Sequence, residues 1–172
     1  FRQINPSPTY ADVDKFYRED FYADEYKYFN DSSLAVQEAD LKYNRKLWEV
    51  DHNELNAFFG GKFNTILDIG CSWCKYSEWC KKQGYEVTGL DPSPESSDYG
   101  KSLGINVKTS NFEQLTDLEK RFDLVVLKNV LEHVIEPVSF LEQINNNYMQ
   151  PGSLLQIEVP NEFNPFQMAA QK

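Results

Sequence analysis

The stretch ILDIGCSWC, residues 66–74, decides the fold, because it has the pattern of a buried strand that runs through a tight turn into a helix. A second apolar run ends in GLDPS, residues 89–93, where Asp91 lies about twenty positions beyond Gly70. An acidic side chain at the tip of a second strand, at this distance from the first glycine, is suited to accept both hydroxyls of a ribose. The two stretches together indicate a nucleoside-containing ligand.

Outward from these motifs, short apolar runs alternate with helical patterns along the rest of the chain. The alternation predicts an α/β fold in which a doubly wound, mostly parallel sheet has helices on both faces. Right-handed crossovers then bring the carboxyl ends of the strands to one edge, where such folds bind ligands. The predicted strands are Thr65–Ile69, Glu86–Leu90, Asn106–Thr109, Phe122–Leu127 and Ser153–Val159. The predicted helices are Lys75–Gln83, Pro94–Leu103, Phe112–Lys120 and Pro137–Tyr148.

The N-terminal part differs from this pattern. Leu34–Phe59 carries apolar residues at helical spacing, and eight aromatic residues lie between Tyr10 and Phe29 among charged ones, as in short amphipathic helices. We therefore predict a helical N-terminal cap region over residues 1–60 and the ligand-binding core over residues 61–172. We interpret the aromatic residues as packing; the alternative is that one tyrosine closes over the ligand.

The composition limits the partners and the compartment. The 172 residues include 17 Lys and Arg against 27 Asp and Glu, which gives a formal net charge of -10 without a basic stripe, so a nucleic-acid partner is disfavoured. No apolar run reaches the roughly 20 residues that cross a bilayer, and the first residues do not resemble a signal peptide. The three cysteines fall within ten positions, a poor distribution for disulfides. We expect a cytoplasmic protein without membrane association.

The first turn also discriminates between nucleoside cofactors. A dinucleotide needs several glycines where its pyrophosphate approaches the helix N-terminus, but after Gly70 the next glycine is Gly84. Ser72, Trp73 and Cys74 crowd the turn instead. S-adenosylmethionine has no phosphate and needs room for an amino-acid tail, a carboxylate for the ribose and a slot for adenine. The turn therefore favours S-adenosylmethionine over NAD.

At this point the chain resembles the Rossmann-like S-adenosylmethionine-dependent methyltransferases, particularly the branch that includes ubiquinone and sugar-pathway enzymes. The resemblance covers about Asn64 to Asn161 and rests on four motifs in family order and spacing. The motifs are LDIGC at residues 67–71, GLDPS at 89–93, FDLVVLKNVLEHV at 122–134 and PGSLL at 151–155. The resemblance implies S-adenosylmethionine as cofactor and S-adenosylhomocysteine as product.

The resemblance also implies a cofactor site made of residues near the ends of four predicted strands. These residues are Asp68, Gly70, Cys71 and Ser72 for the methionine moiety, Asp91 and Pro92 for the ribose, Asn111 and Phe112 for adenine, and Lys128 and Asn129 for the floor near the sulfonium. The chain departs from the family at Ser72 and Cys74, where relatives usually have glycine. This departure motivates an alternative interpretation, a non-catalytic nucleoside-binding or interaction domain.

His133 is the predicted catalytic residue. It follows the fourth strand at the ligand edge, where an imidazole can take a proton from an acceptor hydroxyl, and Glu132 is the second candidate. The alternative for His133 is a packed residue that bonds the backbone. Family members that methylate DNA or protein amines carry Asn or Asp followed by Pro-Pro and an aromatic residue, whereas this chain reads KNVL at residues 128–131. The difference favours a small-molecule acceptor, methylated on oxygen or carbon.

Several residues of the chain also allow a structural interpretation or a different chemical one. Asp91 could cap the helix after it, since DPSP is a helix-start signal, and Asp91 alone also motivates an NAD-dependent oxidoreductase or epimerase. The pair Cys71 and Cys74 has the spacing of a thioredoxin-like redox site, but the parallel strands that follow do not match that fold. We predict no metal site, and we interpret His52, in a charged helical stretch, as a surface residue.

The family sheet normally has seven strands, so this core is predicted to lack the last two. The fifth strand would then be an uncovered edge, which native proteins hide. We expect further residues, the tail Phe163–Ala170 or a second subunit in a homo-oligomer to cover it. Upstream, residues 5–9 (NPSPT) followed by Phe16 and Tyr17 resemble the segment after a cysteine-rich element of sugar-pathway relatives. We therefore expect the chain to be part of a longer protein.

Overall fold

A computed structural model of the chain describes residues 9–16, 34–111 and 115–160. In chain order the helices are α1 (Tyr10–Lys15), α2 (Leu34–Phe59), α3 (Lys75–Lys82), α4 (Pro94–Ser102) and α5 (Pro137–Tyr148). The strands are β1 (Thr65–Ile69), β2 (Glu86–Asp91), β3 (Asn106–Thr109), β4 (Leu124–Lys128) and β5 (Leu154–Glu158). No helix among the described residues is long and apolar enough to cross a membrane.

The five described strands form one parallel sheet in the order β3-β2-β1-β4-β5. Ile66 of β1 pairs with Val87 on one side and Leu124 on the other, so β1 occupies the centre. β1 and β4 are buried over nearly their whole length, as expected of strands covered by helices on both faces. The predicted doubly wound α/β fold with a helical N-terminal region is confirmed. The order of strands reverses between β1 and β4, because β2 and β3 lie on one side of β1, and β4 and β5 on the other.

Two hydrophobic clusters flank the sheet. On one face α5 packs Phe140, Ile144 and Tyr148 against the central strands. On the other face α2 and α3 contribute an aromatic group that includes Trp48 and Trp79. Each face is therefore covered by amphipathic helices, which is the layered arrangement that a parallel sheet requires.

The amino ends of the two central strands are joined through Asp123. Its carboxylate Oδ2 accepts hydrogen bonds from the backbone N–H groups of Asn64 and Thr65, at 2.8 and 3.0 Å, and from the Thr65 hydroxyl at 3.0 Å. These bonds hold the pKa of Asp123 below its usual value, although partial burial opposes the shift. Asp123 thereby fixes the register of β1 against β4 at the end away from the ligand edge.

The predicted helix Phe112–Lys120 is wrong over residues 115–120, which are irregular; Phe112 itself lies outside the described residues. Hydroxyl groups supply the reason: the backbone N–H of Thr116 donates to Ser110 Oγ at 2.9 Å and the Thr116 hydroxyl donates to the carbonyl of Thr109 at 3.3 Å. Serine and threonine side chains that bond the nearby backbone compete with helical hydrogen bonds. The other predicted helices and strands occur with ends shifted by two residues or fewer.

Strand β5 has only β4 as a partner among the described residues. Ile157 in β5 and Val159, which directly follows the strand, are 40% and 49% exposed. The described part of the chain thus holds five strands, whereas seven are expected from the family that the sequence resembles. β5 lies at one edge of the sheet. The tail Phe163–Ala170 lies outside the described residues, as does most of the aromatic stretch between Tyr10 and Phe29.

The prediction that His52 lies on the surface is wrong. His52 is 4% exposed and lies on the inner face of α2, where its Nε2 is 2.8 Å from the Tyr76 hydroxyl and its ring contacts Phe63, Trp79 and Tyr85. Burial lowers the pKa of His52 from 6.5 to about 4, with a smaller opposing influence of Asp51. Glu49 and Glu54, which flank His52 in the sequence, are exposed, whereas Asp51 faces the sheet and pairs with Lys128. The charged sequence around His52 therefore did not indicate which face of the helix it occupies.

We predict that His52 makes the fold sensitive to acid. Between pH 6.5 and pH 4 the unfolded chain binds a proton on His52 that the folded chain excludes, so the free energy of unfolding falls as the pH is lowered. Between pH 7 and pH 5 the loss from this residue is at most roughly 2 kcal/mol. Urea denaturation at both pH values should show that the free energy of unfolding falls less in His52→Gln than in the native sequence.

His133→Gln is the matched control, because His133 is the second histidine of the chain and 44% of its side chain is exposed. The loss of unfolding free energy between pH 7 and pH 5 should be smaller in His52→Gln than in His133→Gln. An unchanged dependence in His52→Gln would contradict the assignment of acid sensitivity to His52.

Candidate functional site

The turn after β1 is attached to the end of β2. The backbone N–H groups of Gly70 and Cys71 both point to the carbonyl of Leu90, at 2.7 and 3.3 Å. Gly70 has a φ of 75°, and a Cβ there would collide with the Val130 side chain. Glycine is therefore required at position 70 both for the left-handed backbone and for the approach of the residues after β4.

Two further residues of this turn are left-handed without being glycine. Ser72 has a φ of 45° and Cys74 a φ of 55°, which are the positions where the resembling family usually has glycine. A left-handed backbone costs an L-residue with a side chain about 1–2 kcal/mol. The turn keeps the geometry of a glycine-rich turn, and the surrounding structure supports it against this strain.

The two cysteines of the turn lie over glycines of the neighbouring elements. A Cβ built on Gly89 would lie 2.7 Å from Cys71 Sγ, and one on Gly100 would lie 3.1 Å from Cys74 Sγ. Both thiols are buried, are free and lie 3.9 Å apart. Hydrogen bonding with Cys74, burial and the nearby carboxylates of Asp68 and Asp91 raise the pKa of Cys71, which disfavours the reactive thiolate and counts against the redox alternative.

Asp91, at the end of β2, is held by two backbone amides. Its Oδ2 accepts from Ser72 N–H at 2.8 Å and its Oδ1 accepts from Ser93 N–H at 2.9 Å. The residue capping α4 is Ser93, whose hydroxyl oxygen accepts from Ser96 N–H at 3.2 Å. The alternative that Asp91 caps this helix is therefore wrong, and Asp91 and the adjacent Pro92 are buried where β1 and β2 end together.

Asp68 lies behind the turn, in β1. Asp68 is 3% exposed, and its carboxylate accepts a hydrogen bond from the Ser77 hydroxyl at 2.6 Å. Burial raises the pKa of Asp68 to about 6; the Ser77 hydrogen bond and the charge of Lys128 oppose the shift, and the charge of Asp91 adds to it. Asp68 is thus a buried carboxyl group whose ionisation responds to any cation placed beside it.

The end of β4 carries Lys128 and Asn129. Lys128 Nζ is 2.6 Å from Glu158 Oε2 on β5, 3.6 Å from Asp51 Oδ2 on α2, and 5.0 Å from the centre of the Tyr76 ring. Asn129 is left-handed, with a φ of 54°, and its N–H donates to the carbonyl of Glu158 at 2.8 Å. The ammonium group of Lys128 therefore joins α2 to the sheet, whereas Asn129 turns the chain at the ligand edge.

Two other predicted site residues also lie at this edge. His133 ends a short 3₁₀ helix, Leu131–His133, that directly follows β4, and its Nε2 is 3.8 Å from Glu132 Oε1. Asn111 follows β3 beside Asp91, because the preceding Ser110 N–H donates to the Asp91 carbonyl at 2.9 Å. Phe112 lies outside the described residues.

Of the predicted residues from Gly70 to His133, the structure places all that it describes at or next to the carboxyl ends of adjacent strands. A supporting layer of serines was not predicted. The Ser77 hydroxyl donates to Asp68, and the Ser96 hydroxyl on α4 donates to the carbonyl of Ser72. Ser93 donates to Asp91 through its backbone N–H. The sequence signal was the group of serines at residues 93–97, which a helix-start pattern also explains. Among the described residues, no group of three or more metal-ligating side chains occurs.

Residues 39–172 match the model of a family described as a methyltransferase domain. The match covers more than half of the chain, and the chain therefore belongs to this family. The ubiquinone biosynthesis O-methyltransferase of Methylobacterium sp. (strain 4-46) is 35% identical over 83 residues, which are 45% of this chain and 33% of that protein. The protein of the same name from Coxiella burnetii (strain Dugway 5J108-111) is 37% identical over 82 residues, 44% of this chain and 35% of that one.

Solved structures agree with this family. The plantazolicin methyltransferase BpumL in complex with SAH has a TM-score of 0.67 at 21% identity, over 84% of this chain and 56% of that one. The magnesium protoporphyrin IX methyltransferase ChlM from Synechocystis PCC 6803, with bound SAM, has a TM-score of 0.61 at 16% identity, over 84% and 74%. At these identities the likeness shows the fold, which is the Rossmann-like methyltransferase fold. This chain matches about a third of the length of the curated relatives above.

We predict that Ser72→Gly stabilises the protein by about 1 kcal/mol. Glycine removes the left-handed strain at position 72, and this gain exceeds the entropy that glycine adds to the unfolded chain. Ser72→Ala is the control, because it removes the same hydroxyl but keeps a Cβ at a φ of 45°. Urea denaturation should give a higher free energy of unfolding for Ser72→Gly than for the native sequence. The value for Ser72→Ala should equal or fall below the native value. Equal stability of the two variants would show that the strain is absent.

Proposed function

We propose that this chain binds S-adenosylmethionine at the carboxyl edge of the sheet and forms the cofactor-binding part of a methyltransferase. The observation that carries the proposal is the Asp91 carboxylate, which two backbone amides orient at the point where β1 and β2 end together. Each carboxylate oxygen has accepting capacity beyond one amide, so both ribose hydroxyls can be bound. Neighbours with this fold are described in complex with SAH or with bound SAM, which supports the choice of cofactor.

The other contacts follow the order of the strands. Gly70, Cys71 and Ser72 line the methionine moiety, with Asp68 behind them; Pro92 adjoins the ribose. We assign Asn111 and Phe112 to adenine. Asn129 and the backbone of Lys128 lie nearest to the reacting end, since the Lys128 ammonium group is paired with Asp51 and Glu158. This pairing keeps a positive charge directed away from a sulfonium.

The bound cofactor supplies an activated methyl group, and the protein contributes alignment and exclusion of water. We propose that His133 takes the proton of an acceptor hydroxyl, with Glu132 as its charged neighbour.

The curated relatives are named as ubiquinone biosynthesis O-methyltransferases, which supports a small-molecule acceptor methylated on oxygen rather than carbon. The net charge of -10 agrees with an acceptor other than nucleic acid. A reducing, cytoplasmic setting fits the three free thiols, and a homo-oligomer stays a prediction.

The first test of this function is calorimetric titration with S-adenosylhomocysteine. We expect the native sequence to bind it, and Asp91→Asn to bind at least tenfold more weakly, because a charged acceptor for two hydroxyls becomes an amide. Asp98→Asn is the matched control, since Asp98 on α4 is exposed and pairs only with Lys101 in the described structure. Its affinity should equal that of the native sequence.

The melting temperature of each variant accompanies the titration, because Asp91 also accepts two backbone amides. Absence of binding to a folded native chain would refute the proposed function and support the non-catalytic alternative. Binding of NAD instead of the sulfur nucleoside would support the oxidoreductase alternative.

The pH dependence of binding tests the place of the methionine moiety. In this proposal the ammonium group of the methionine moiety lies beside Asp68, and a cation there favours the ionised form of the Asp68 carboxyl group. The affinity for S-adenosylhomocysteine should therefore rise as the pH increases through about 6. Between pH 5.5 and pH 7.5 the gain should be roughly fourfold. Asp68→Asn should bind more weakly and without this gain, whereas Asp98→Asn should keep it. A gain that persists in Asp68→Asn would place the ammonium group elsewhere.

A further inference from the structure

We propose that Ser96 is a positioning residue of the cofactor site, which holds the strained Ser72 in the conformation that presents its N–H to Asp91. The proposal rests on the proposed function, because its consequence is the affinity for the sulfur nucleoside. Ser96 lies on α4 and makes no contact with the reacting atoms in this scheme. Its effect reaches the cofactor only through Ser72 and Asp91.

Ser96 is itself fixed in place. It is completely buried at the start of α4, and its N–H donates to the oxygen of the Ser93 hydroxyl at 3.2 Å. Its hydroxyl donates to the carbonyl of Ser72 and lies 3.7 Å from Cys71 Sγ. The absence of a Cβ at Gly89 leaves the space for that thiol. The hydroxyl therefore sits in a rigid environment directly against the first turn.

The two sides of Ser72 are consequently held by the β2–α4 segment. Its N–H donates to Asp91 Oδ2 at 2.8 Å, and its carbonyl accepts from the Ser96 hydroxyl. With a φ of 45°, Ser72 would relax toward the ordinary negative-φ region if one of these bonds were lost. That rotation withdraws the N–H from Asp91 and releases the carboxylate orientation. A glycine at position 72 would hold this conformation without help.

A purely structural explanation is that a buried hydroxyl simply bonds the nearest carbonyl. Ser97 provides a direct comparison, because it is the next residue of α4, is 5% exposed, and donates its hydroxyl to the Val107 carbonyl at 2.9 Å on β3. Loss of either hydroxyl removes one buried hydrogen bond to a backbone carbonyl. Only the bond from Ser96 reaches the turn.

The experiment compares Ser96→Ala with Ser97→Ala. Both should lower the melting temperature by similar amounts, but only Ser96→Ala should weaken binding of S-adenosylhomocysteine, by about tenfold. Introducing Ser72→Gly into Ser96→Ala should restore most of that affinity, because glycine does not need the support. Equal affinities of Ser96→Ala and Ser97→Ala, or no recovery in the double variant, would overturn the proposal.

Amide hydrogen exchange of the Ser72 N–H, measured without any ligand, separates this proposal from the proposed function. Exchange should be faster in Ser96→Ala than in Ser97→Ala, and Ser72→Gly should reverse the difference. If the native sequence fails to bind the nucleoside, the proposed function fails, and exchange still decides whether Ser96 orders the turn. Unchanged exchange in Ser96→Ala would overturn the proposal even if the native sequence binds.

Discussion

The hydrogen bond from the Ser72 backbone to the Asp91 carboxylate is the contact on which the ligand edge depends. It joins the turn after β1 to the tip of β2 at 2.8 Å, next to the bonds from Gly70 and Cys71 to the Leu90 carbonyl. The turn can make this contact only because three of its residues are left-handed. Only the first of them is glycine, so the strain at the other two must be offset by their surroundings.

Packing provides that support on both sides of the sheet. The thiols of Cys71 and Cys74 fill the space above Gly89 and Gly100. The side chain of Cys74, a left-handed residue of the turn, therefore also packs the turn against the neighbouring elements. Below the turn, α2 is held to the sheet by His52 in its aromatic surroundings and by the ion pairs of Lys128. A site with few glycines is therefore kept in shape by the elements around it.

Electrostatics divides the edge into two regions. Asp68 and Asp91 are buried carboxyl groups close enough for their charges to interact, and burial raises the pKa of Asp68 to about 6. Lys128 lies nearby, but its charge is directed to Asp51 and Glu158. The arrangement leaves the carboxyl groups of Asp68 and Asp91 near the turn, while the charge of Lys128 is paired with two other carboxylates. This distribution agrees with the proposed ligand, which has ribose hydroxyls and a cationic tail.

The sequence by itself determined the strands, the parallel sheet that they form, and the edge where the predicted site residues gather, because hydrophobic periodicity and turn residues act locally. It did not reveal the burial of His52, the irregular path over residues 115–120, or the serines that support the site. These depend on which face of α2 meets the sheet and on serine and threonine hydroxyls that form hydrogen bonds outside their own helix or strand. Only the tertiary structure decided them, since such contacts join residues whose separation in sequence carries no periodic signal.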